Sequence, residues 1–330
     1  MQQLIDHFGR QINYVRLAIT DRCNLRCQYC MPAQGIEIAP RAHLLTFKEM
    51  YRIIRVLTEL GVTKVRLTGG EPFVRKDIIK FLEMLSFNDL LETINITTNG
   101  AVIAKHITTL EKMDKIQNIN LSIDSLQKEK FFQITRRDVF SEVYQTLELL
   151  EKSTLNLKLN VIVQAGVNTD EITDFVALTK NKHLAVRFIE EMPFNGKGKR
   201  ETQENWNFNR ILQEIQTQFE LQEVDSEKSS TSRNFKIDGH QGSIGVIPAF
   251  TRTICNDCNR IRITPVGTLK NCLFDDGVFN IRDFIRDGAS NEDLKNIFLS
   301  LVKNKPANGF IAEASRSKGN VSESMSTIGG

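Results

Sequence analysis

The sequence predicts an α/β protein: an open, incomplete barrel of six strand–helix units, followed by a smaller region with antiparallel strands. In the first part, short runs rich in β-branched residues alternate with helix-period segments about six times, which is typical of right-handed βαβ units on a parallel sheet. Six units are too few for a closed eight-stranded barrel. Near residue 195 the alternation stops, and short strands with turns follow. A doubly wound parallel sheet is the alternative architecture.

The predicted barrel strands are bounded by polar or glycine-containing segments. They are YVRLAIT (14–20), KVRLT (64–68), TINITT (93–98), INLSID (119–124), LKLNVIV (157–163) and AVRFIE (185–190). The clearest helix follows the first strand. Thr46 is its predicted N-cap, Glu49 completes a capping box, and Gly61 is a C-cap candidate.

The second region begins with the polar segment NGKGKRETQENWN, which starts at residue 195. A helix is predicted over 208–219, and then short strands at FKI, GSIGVI, NRIRIT and TLKNCLF. We therefore expect residues 1–195 to form the partial barrel. Residues 196–330 are expected to form a small antiparallel β/α cap over its open side.

The composition excludes several classes of protein. The chain has 330 residues and a net charge of +3 with both signs interspersed, and it lacks the basic block typical of a nucleic-acid binder. No apolar run approaches the ~18 residues that span a bilayer. We expect a cytoplasmic protein that binds neither membrane nor nucleic acid. In that reducing compartment, clustered cysteines indicate metal ligands rather than disulfides.

The six cysteines fall into two sets of three. The first triad is Cys23, Cys27 and Cys30, spaced C-x3-C-x2-C, and the second is Cys255, Cys258 and Cys272, spaced C-x2-C-x13-C. Structural zinc takes four ligands, and a [4Fe–4S] cluster is normally held by four thiolates. With three thiolates, one iron stays open to an outside ligand. Zinc at the second triad, with His240 as fourth ligand, is the alternative.

The first triad, at the end of the first predicted strand, resembles the signature of the radical S-adenosylmethionine (SAM) enzymes. TGGEP (68–72), at the end of the second strand, resembles their GGE motif, although alone it would also suit a simple turn. The resemblance implies that SAM chelates the open iron and is cleaved to a 5′-deoxyadenosyl radical. Glycines permit close backbone approach, and Glu71 offers an acceptor for an ammonium group.

Further motifs resemble the GTP 3′,8-cyclases of molybdenum cofactor biosynthesis. They are YVRLAITDRCNLRCQYCMP, KVRLTGGEPFVRKD, TTNG, RFIEEMPF, CNDCNRIRIT and the terminal GG. The resemblance implies a radical SAM barrel with two [4Fe–4S] clusters, the second meeting the guanine of GTP. It also implies hydrogen abstraction from carbon 3′ of the ribose and attack of the resulting radical on carbon 8. One-electron reduction, through the second cluster, and protonation then give (8S)-3′,8-cyclo-7,8-dihydroguanosine 5′-triphosphate.

By position in those motifs, the resemblance assigns the SAM contacts to Tyr29, Gly70, Glu71, Ser122 and Met192. Tyr29 lies between two cluster ligands and is expected near the adenine. A turn or capping role is the alternative for Ser122, and core packing is the alternative for Met192.

The resemblance assigns the GTP contacts to Arg16, Arg66, Thr97, Lys158, Arg260, Ile261 and Arg262, with Lys64 and Arg187 as further candidates. A triphosphate brings about four negative charges, and arginine's fork suits its oxygens. Residues two apart on a strand share a face, so Lys64 and Arg66 can point into one cavity, as can Arg260 and Arg262. A solvated strand edge is the alternative.

Catalytic roles are implied for four residues. Arg260 and Arg262 are expected to act in the radical step, and Gly329 and Gly330 are expected to enter the active-site pocket. The alternative for these two glycines is a disordered terminus, which is the usual state of terminal residues. The resemblance also implies an electron donor, a homodimer, and the next enzyme of the pathway, cyclic pyranopterin monophosphate synthase, as a functional partner.

Two other functions fit some of these residues. One is a radical SAM enzyme with an auxiliary cluster that modifies a peptide or RNA, which should ignore free GTP. The other is an iron–sulfur or zinc regulatory protein, against which stand the GGEP motif and the lack of a DNA-reading element.

Overall fold

A computed structural model describes residues 2–194, 206–225, 228–317, 321 and 323–329. Its strands form one open sheet of twelve, in the order β12-β11-β10-β1-β2-β3-β4-β5-β6-β9-β8-β7. The strands are β1 Tyr14–Ala18, β2 Lys64–Thr68, β3 Thr93–Thr98, β4 Ile116–Ser122, β5 Asn156–Val163, β6 Leu184–Glu190, β7 Gln222–Val224, β8 Arg233–Lys236, β9 Ser243–Ile247, β10 Arg260–Ile263, β11 Thr268–Lys270 and β12 Phe279–Asn280. The polar segment 195–205 and Gly330 lie outside the described residues.

Strands β1 to β6 are parallel neighbours in chain order, which confirms the predicted partial barrel. Each begins and ends within a few residues of its predicted bounds. The helices are α1 Phe47–Glu59, α2 Ile78–Ser86, α3 Ile107–Leu110, α4 Lys128–Thr135, α5 Phe140–Glu151, α6 Ile172–Ala177, α7 Phe208–Gln216, α8 Ile281–Arg286, α9 Asn291–Lys303, α10 Gly309–Ala314 and α11 Met325–Ile328. No helix in the described ranges is long and apolar enough to cross a bilayer.

The C-terminal strands extend the barrel sheet at both edges. β9 pairs parallel to β6, and β10 pairs parallel to β1. The expected antiparallel pairing is present in β7-β8-β9 and in β10-β11-β12, but neither arm forms a layer of its own. The reason is that β1 and β6 would otherwise be edge strands with unpaired backbone groups. Strands on both sides of residue 195 thus share one sheet, and the division at that residue stays a prediction.

Alternation along each strand separates an apolar outer face from a polar inner face. In β1, β2 and β10 the outward side chains are fully buried in the main core: Val15, Leu17, Val65, Leu67, Ile261 and Ile263. The inward positions carry arginine, asparagine, threonine and serine. Central parallel strands are usually apolar on both faces, so a polar interior indicates a binding site.

The predicted capping box opens α1. Thr46 Oγ1 accepts from the backbone N–H of Glu49 at 3.2 Å, and the Glu49 carboxylate accepts from that of Thr46 at 2.6 Å. The C-cap of α1 is Leu60, one residue before the predicted C-cap Gly61. Gly61 follows it with φ +93°. The helix predicted over 208–219 ends earlier, at Gln216.

Candidate functional site

The inner face of the barrel encloses a cavity of about 280 Å³. Both cysteine triads line it, together with Tyr29, Gly70, Ser122 and Met192 of the predicted SAM contacts. The predicted GTP contacts that line it are Arg16, Arg66, Thr97, Arg187, Arg260 and Arg262. The structure therefore brings most of the predicted site residues to one place.

The first triad lies in the loop after β1, and the glycine pair after β2 packs directly against that loop. Gly70 N–H donates to the carbonyl of Thr20 at 2.7 Å, and Glu71 N–H donates to that of Arg22 at 2.8 Å. A Cβ on Gly70 would lie 2.2 Å from the Arg22 carbonyl oxygen. Only glycine permits this approach, which fixes the cysteine loop against the end of β2.

The Glu71 side chain lies behind the cavity wall, and its expected contact with an ammonium group stays a prediction. Its carboxylate is fully buried, does not line the cavity, and accepts hydrogen bonds from Phe73 N–H at 3.0 Å, Thr98 Oγ1 at 2.8 Å and Asn99 N–H at 2.6 Å. It ties the end of β2 to the end of β3. Burial raises its pKa to about 7, against the opposing effect of these donors.

The cysteines of the first triad are half-buried, and Cys23 has long hydrogen bonds to its sulfur. Cys23 Sγ accepts from Leu25 N–H at 3.4 Å and from the Asn99 side-chain amide at 3.7 Å. Burial raises the pKa of Cys23 to about 12 and also raises that of Cys27 and Cys30. Ionisation in such surroundings calls for a bound cation, which a coordinated metal provides.

Tyr29 is held in place by a residue that the sequence analysis missed. Its hydroxyl donates to Asp124 Oδ2 at 2.8 Å, while Asp124 Oδ1 accepts from Ile162 N–H at 2.8 Å. Burial raises the pKa of Asp124 to about 6. The same carboxylate thus orients the ring beside the first triad and the end of β5. Asp124 was detectable in the sequence, because it lies two residues after Ser122 in the LSID motif and therefore on the same face of the predicted strand.

The second triad comes from two loops joined by a buried lysine. Cys258 precedes β10 and Cys272 follows β11, while Lys305 Nζ donates to the carbonyl of Arg260 at 2.8 Å and to that of Asn271. Burial alone would raise the pKa of Cys258, but Lys305 and Arg260 lower it to about 6.

The alternative of zinc held with His240 is wrong. His240 Nδ1 is hydrogen-bonded to Thr179 Oγ1 at 2.8 Å, and its ring packs against Phe219. It does not line the cavity that holds Cys255, Cys258 and Cys272. His240 therefore cannot act as their fourth ligand.

The two triads fit clusters better than single ions. Within the described ranges, no three His, Cys, Asp or Glu side chains converge in the way that one metal ion requires. In a four-iron cluster each thiolate binds a different iron, so the ligands need not meet at a point. Each triad brings three thiols to one cavity, with no fourth protein ligand among the described residues, and so leaves one iron of such a cluster open.

Cationic side chains form two rows across β10, β1 and β2. In register, Arg16 lies between Arg262 and Arg66, and Tyr14 lies between Arg260 and Lys64. The Nε atoms of Arg16 and Arg66 are buried, with no hydrogen-bond partner among the described residues. Burial and then Arg262 lower the pKa of Arg16. Adjacent half-buried cations whose buried Nε atoms lack a partner among the described residues indicate a site for a polyanion.

The same positive charges shift the pKa of Tyr14. Burial alone would raise the pKa of its phenol, but Arg66, Arg16, Arg260 and Lys64 lower it overall. Its hydroxyl is a buried group without a hydrogen-bond partner among the described residues. The inner face of β1 is therefore strongly electropositive.

Three predicted GTP contacts do not line the cavity. Lys64 lies over the ring of Tyr14 at 5.8 Å, and Lys158 lies two residues before Asn160 on the same face of β5. Both occupy the N-terminal side of the barrel interior. The side chain of Ile261 is on the opposite face, fully buried in the core, so only its backbone is available for the predicted contact.

The C-terminal tail enters the barrel. Ser324 Oγ donates to the carbonyl of Cys30 at 2.8 Å, and Met325 and Ser326 line the cavity. Gly329 is buried, and its carbonyl accepts from Arg262 Nη1. Gly330 lies outside the described residues.

Further cavity residues had escaped the sequence analysis, among them Asn99, Asn160, Arg252 and Asn271. Arg252 is buried, pairs with Glu313 at 2.6 Å and stacks on Phe274 at 3.6 Å. Asn160 was detectable, because it shares a strand face with Lys158. Arg252 and Asn271 lie in loops, where alternation gives no signal.

Comparisons with known proteins agree with this geometry. The Radical SAM superfamily model matches residues 17–179, and the Molybdenum Cofactor Synthesis C model matches residues 184–311. GTP 3′,8-cyclase of Desulforamulus reducens is 36% identical over 99% of this chain and 100% of its own length. Molybdenum cofactor biosynthesis protein 1 of Homo sapiens is 41% identical over 92% of this chain and 48% of its own. The chain thus spans about half the length of this human relative.

Among solved structures, the fold is similar to that of Streptococcus suis SuiB. The TM-score is 0.64 at 15% identity, covering 94% of this chain and 70% of that one. Identity at this level establishes a shared fold and nothing about substrate.

Proposed function

The chain belongs to the GTP 3′,8-cyclase family of radical SAM enzymes, and on that premise we propose that it converts GTP to (8S)-3′,8-cyclo-7,8-dihydroguanosine 5′-triphosphate in molybdenum cofactor biosynthesis. One observation carries the proposal. Two cysteine triads and a row of three arginines line the same cavity, so metal-binding thiols and the positive charge for a polyanion lie side by side.

The first triad and its surroundings would hold a [4Fe–4S] cluster and SAM. When bound, these groups supply a 5′-deoxyadenosyl radical that removes hydrogen from carbon 3′ of the ribose. The chain itself contributes the surroundings: Tyr29, oriented by Asp124, faces the cavity beside the triad, with Ser122 and Met192 further along it. Gly69 and Gly70 line the cavity beside the triad, and we assign the contact of this motif with SAM to them rather than to the Glu71 carboxylate.

The second triad and the arginine rows would hold GTP at its two ends. The triad would take the second [4Fe–4S] cluster, beside which the guanine binds. Arg16, Arg66, Arg187, Arg260 and Arg262 bring positive charge to the same cavity, with Thr97 on the adjoining strand. Lys64 and Lys158, deeper in the barrel, would meet the far end of the triphosphate. Gly329, whose carbonyl accepts a hydrogen bond from Arg262, would help to exclude water from the reacting centre.

The family context supports further partners. We propose an external electron donor, a homodimer, and cyclic pyranopterin monophosphate synthase as the enzyme that consumes the product. We place the enzyme in the cytoplasm.

The test is anaerobic reconstitution with iron and sulfide, followed by incubation with dithionite, SAM and GTP. Both 5′-deoxyadenosine and cyclised nucleotide are measured, with iron content determined beforehand. We expect about eight irons per chain, as two four-iron clusters require, and GTP-dependent formation of both products.

Deoxyadenosine without cyclised GTP would keep the radical chemistry and reject the substrate, in favour of an enzyme acting on a peptide or RNA. Neither product, with full iron, would reject the enzymatic function and favour a regulatory iron–sulfur protein.

A further inference from the structure

Lys305 is a buried cation that lies between the two segments bearing the second triad. It is 2% exposed, and its ammonium donates to the carbonyl of Arg260 at 2.8 Å and to that of Asn271. Arg260 is two residues from Cys258, and Asn271 is next to Cys272. One side chain therefore joins the backbones of both ligand-bearing segments.

The ammonium of Lys305 has no carboxylate in ion-pair range among the described residues; both of its hydrogen-bond partners are carbonyl oxygens. The other large buried lysine, Lys270, differs in this respect, because Glu323 lies 3.5 Å and Asp275 4.0 Å from its Nζ. An unpaired buried charge is costly and calls for compensating negative charge nearby.

We propose that Lys305 is the fixed positive charge of the second triad: it positions the two ligand segments and raises the reduction potential of the cluster that they hold. The inference rests on the proposed function, since it requires a cluster at this triad. Reducing a cluster adds negative charge, so a nearby cation stabilises the reduced form. Net charge and burial are among the features that set cluster potentials.

The test uses the whole chain, reconstituted, with three variants. Lys305→Met removes the charge and keeps a similar shape, and Lys305→Arg keeps the charge. Lys303→Met is the matched control, since it makes the same change at an exposed lysine two residues away, where solvent screens the charge. Iron content and circular dichroism are measured on each protein first.

The readout is a potentiometric titration followed by electron paramagnetic resonance, with and without SAM. The signal altered by SAM belongs to the first cluster, and the unaltered signal belongs to the second. GTP is not used, so the result does not depend on cyclase activity.

In Lys305→Met we expect the midpoint of the SAM-insensitive signal to move to more negative potential, with the SAM-sensitive midpoint unchanged. Lys305→Arg and Lys303→Met should match wild type. Iron falling to about four per chain in Lys305→Met alone would also support the proposal, because the charge would then be needed to retain the second cluster.

An unchanged midpoint in Lys305→Met with full iron would overturn the proposal. So would equal loss of iron in Lys305→Met and Lys305→Arg, since the charge would then not be the cause. A wild-type chain that binds only about four irons would instead refute the second cluster in the proposed function, independently of any variant.

Discussion

Arg262 donates a hydrogen bond from Nη1 to the carbonyl oxygen of Gly329. Five residues earlier, Ser324 donates to the carbonyl of Cys30 at 2.8 Å. The C-terminal tail therefore runs inside the barrel from the first cysteine triad to β10, the strand between Cys258 and Cys272. It forms one wall of the cavity that both triads share.

Gly329→Ala should expel this tail. The residue has φ +76°, and an added Cβ would lie 2.6 Å from Thr68 Oγ1 and 2.8 Å from Ala18 Cβ. We expect faster digestion by carboxypeptidase and a fall in GTP cyclisation of roughly tenfold or more, or about 1.4 kcal/mol. Gly288→Ala is the control, since it has a similar φ of +95° with nothing within 4 Å. Equal effects at both glycines would count against a specific role for the tail.

Arg16→Met should weaken GTP binding while stabilising the empty protein. Its neighbours in register are Arg66 and Arg262, so removing one charge relieves repulsion in the absence of ligand. Lost charge-assisted hydrogen bonds of about 1.5–3 kcal/mol would raise the Kd for GTP roughly 10- to 100-fold. Calorimetry and thermal unfolding measure the two effects, with exposed Arg55→Met as control. A variant that binds GTP as wild type does would remove Arg16 from the site.

Glu71→Gln should change the pH dependence of stability. The folded pKa is about 7 and the unfolded value is 4.5, because burial opposes ionisation. The folded state therefore binds more protons in this window, and the free energy of unfolding falls as pH rises through it. Between pH 5 and pH 8, wild type should lose on the order of 2 kcal/mol more than Glu71→Gln, measured by urea unfolding. Parallel pH curves would show that Glu71 does not titrate there.

Glu190→Ala should destabilise the segment that leads into the second triad, which includes Phe250 and Thr251. Its buried carboxylate accepts from the backbone N–H groups of Phe208, Phe250 and Thr251, each at 2.7 Å. Leaving these donors unsatisfied should cost on the order of 3 kcal/mol in urea unfolding and reduce iron retention. Glu223→Ala, which breaks an exposed pair with Arg233, should cost less than about 1 kcal/mol. Similar losses in both variants would contradict this role for Glu190.

The local features of the fold were predictable because neighbouring residues determine them. Alternating β-branched runs located the six barrel strands, and the Thr46–Glu49 pair located the start of α1. The cysteine spacings identified both triads for a similar reason: closely spaced cysteines indicate a metal site whatever the rest of the fold.

Features that depend on distant residues were not predictable in this way. The donors to Glu71 include Thr98 and Asn99, at the end of the next strand. His240 is held by Thr179, far from it in sequence. The pairing of β9 and β10 with the barrel edges is likewise a matter of tertiary contact, which periodicity does not encode.

The pairing of β1 with β10 has a consequence during synthesis. Tyr14 leaves the ribosome early, but its partner Arg260 follows roughly 250 residues later. At about 5–20 residues per second, the first strand waits on the order of 10 to 50 seconds for its neighbour. Throughout that time the nascent chain presents an open strand edge to other chains, so its yield in the cell should depend on chaperones that bind it before translation ends.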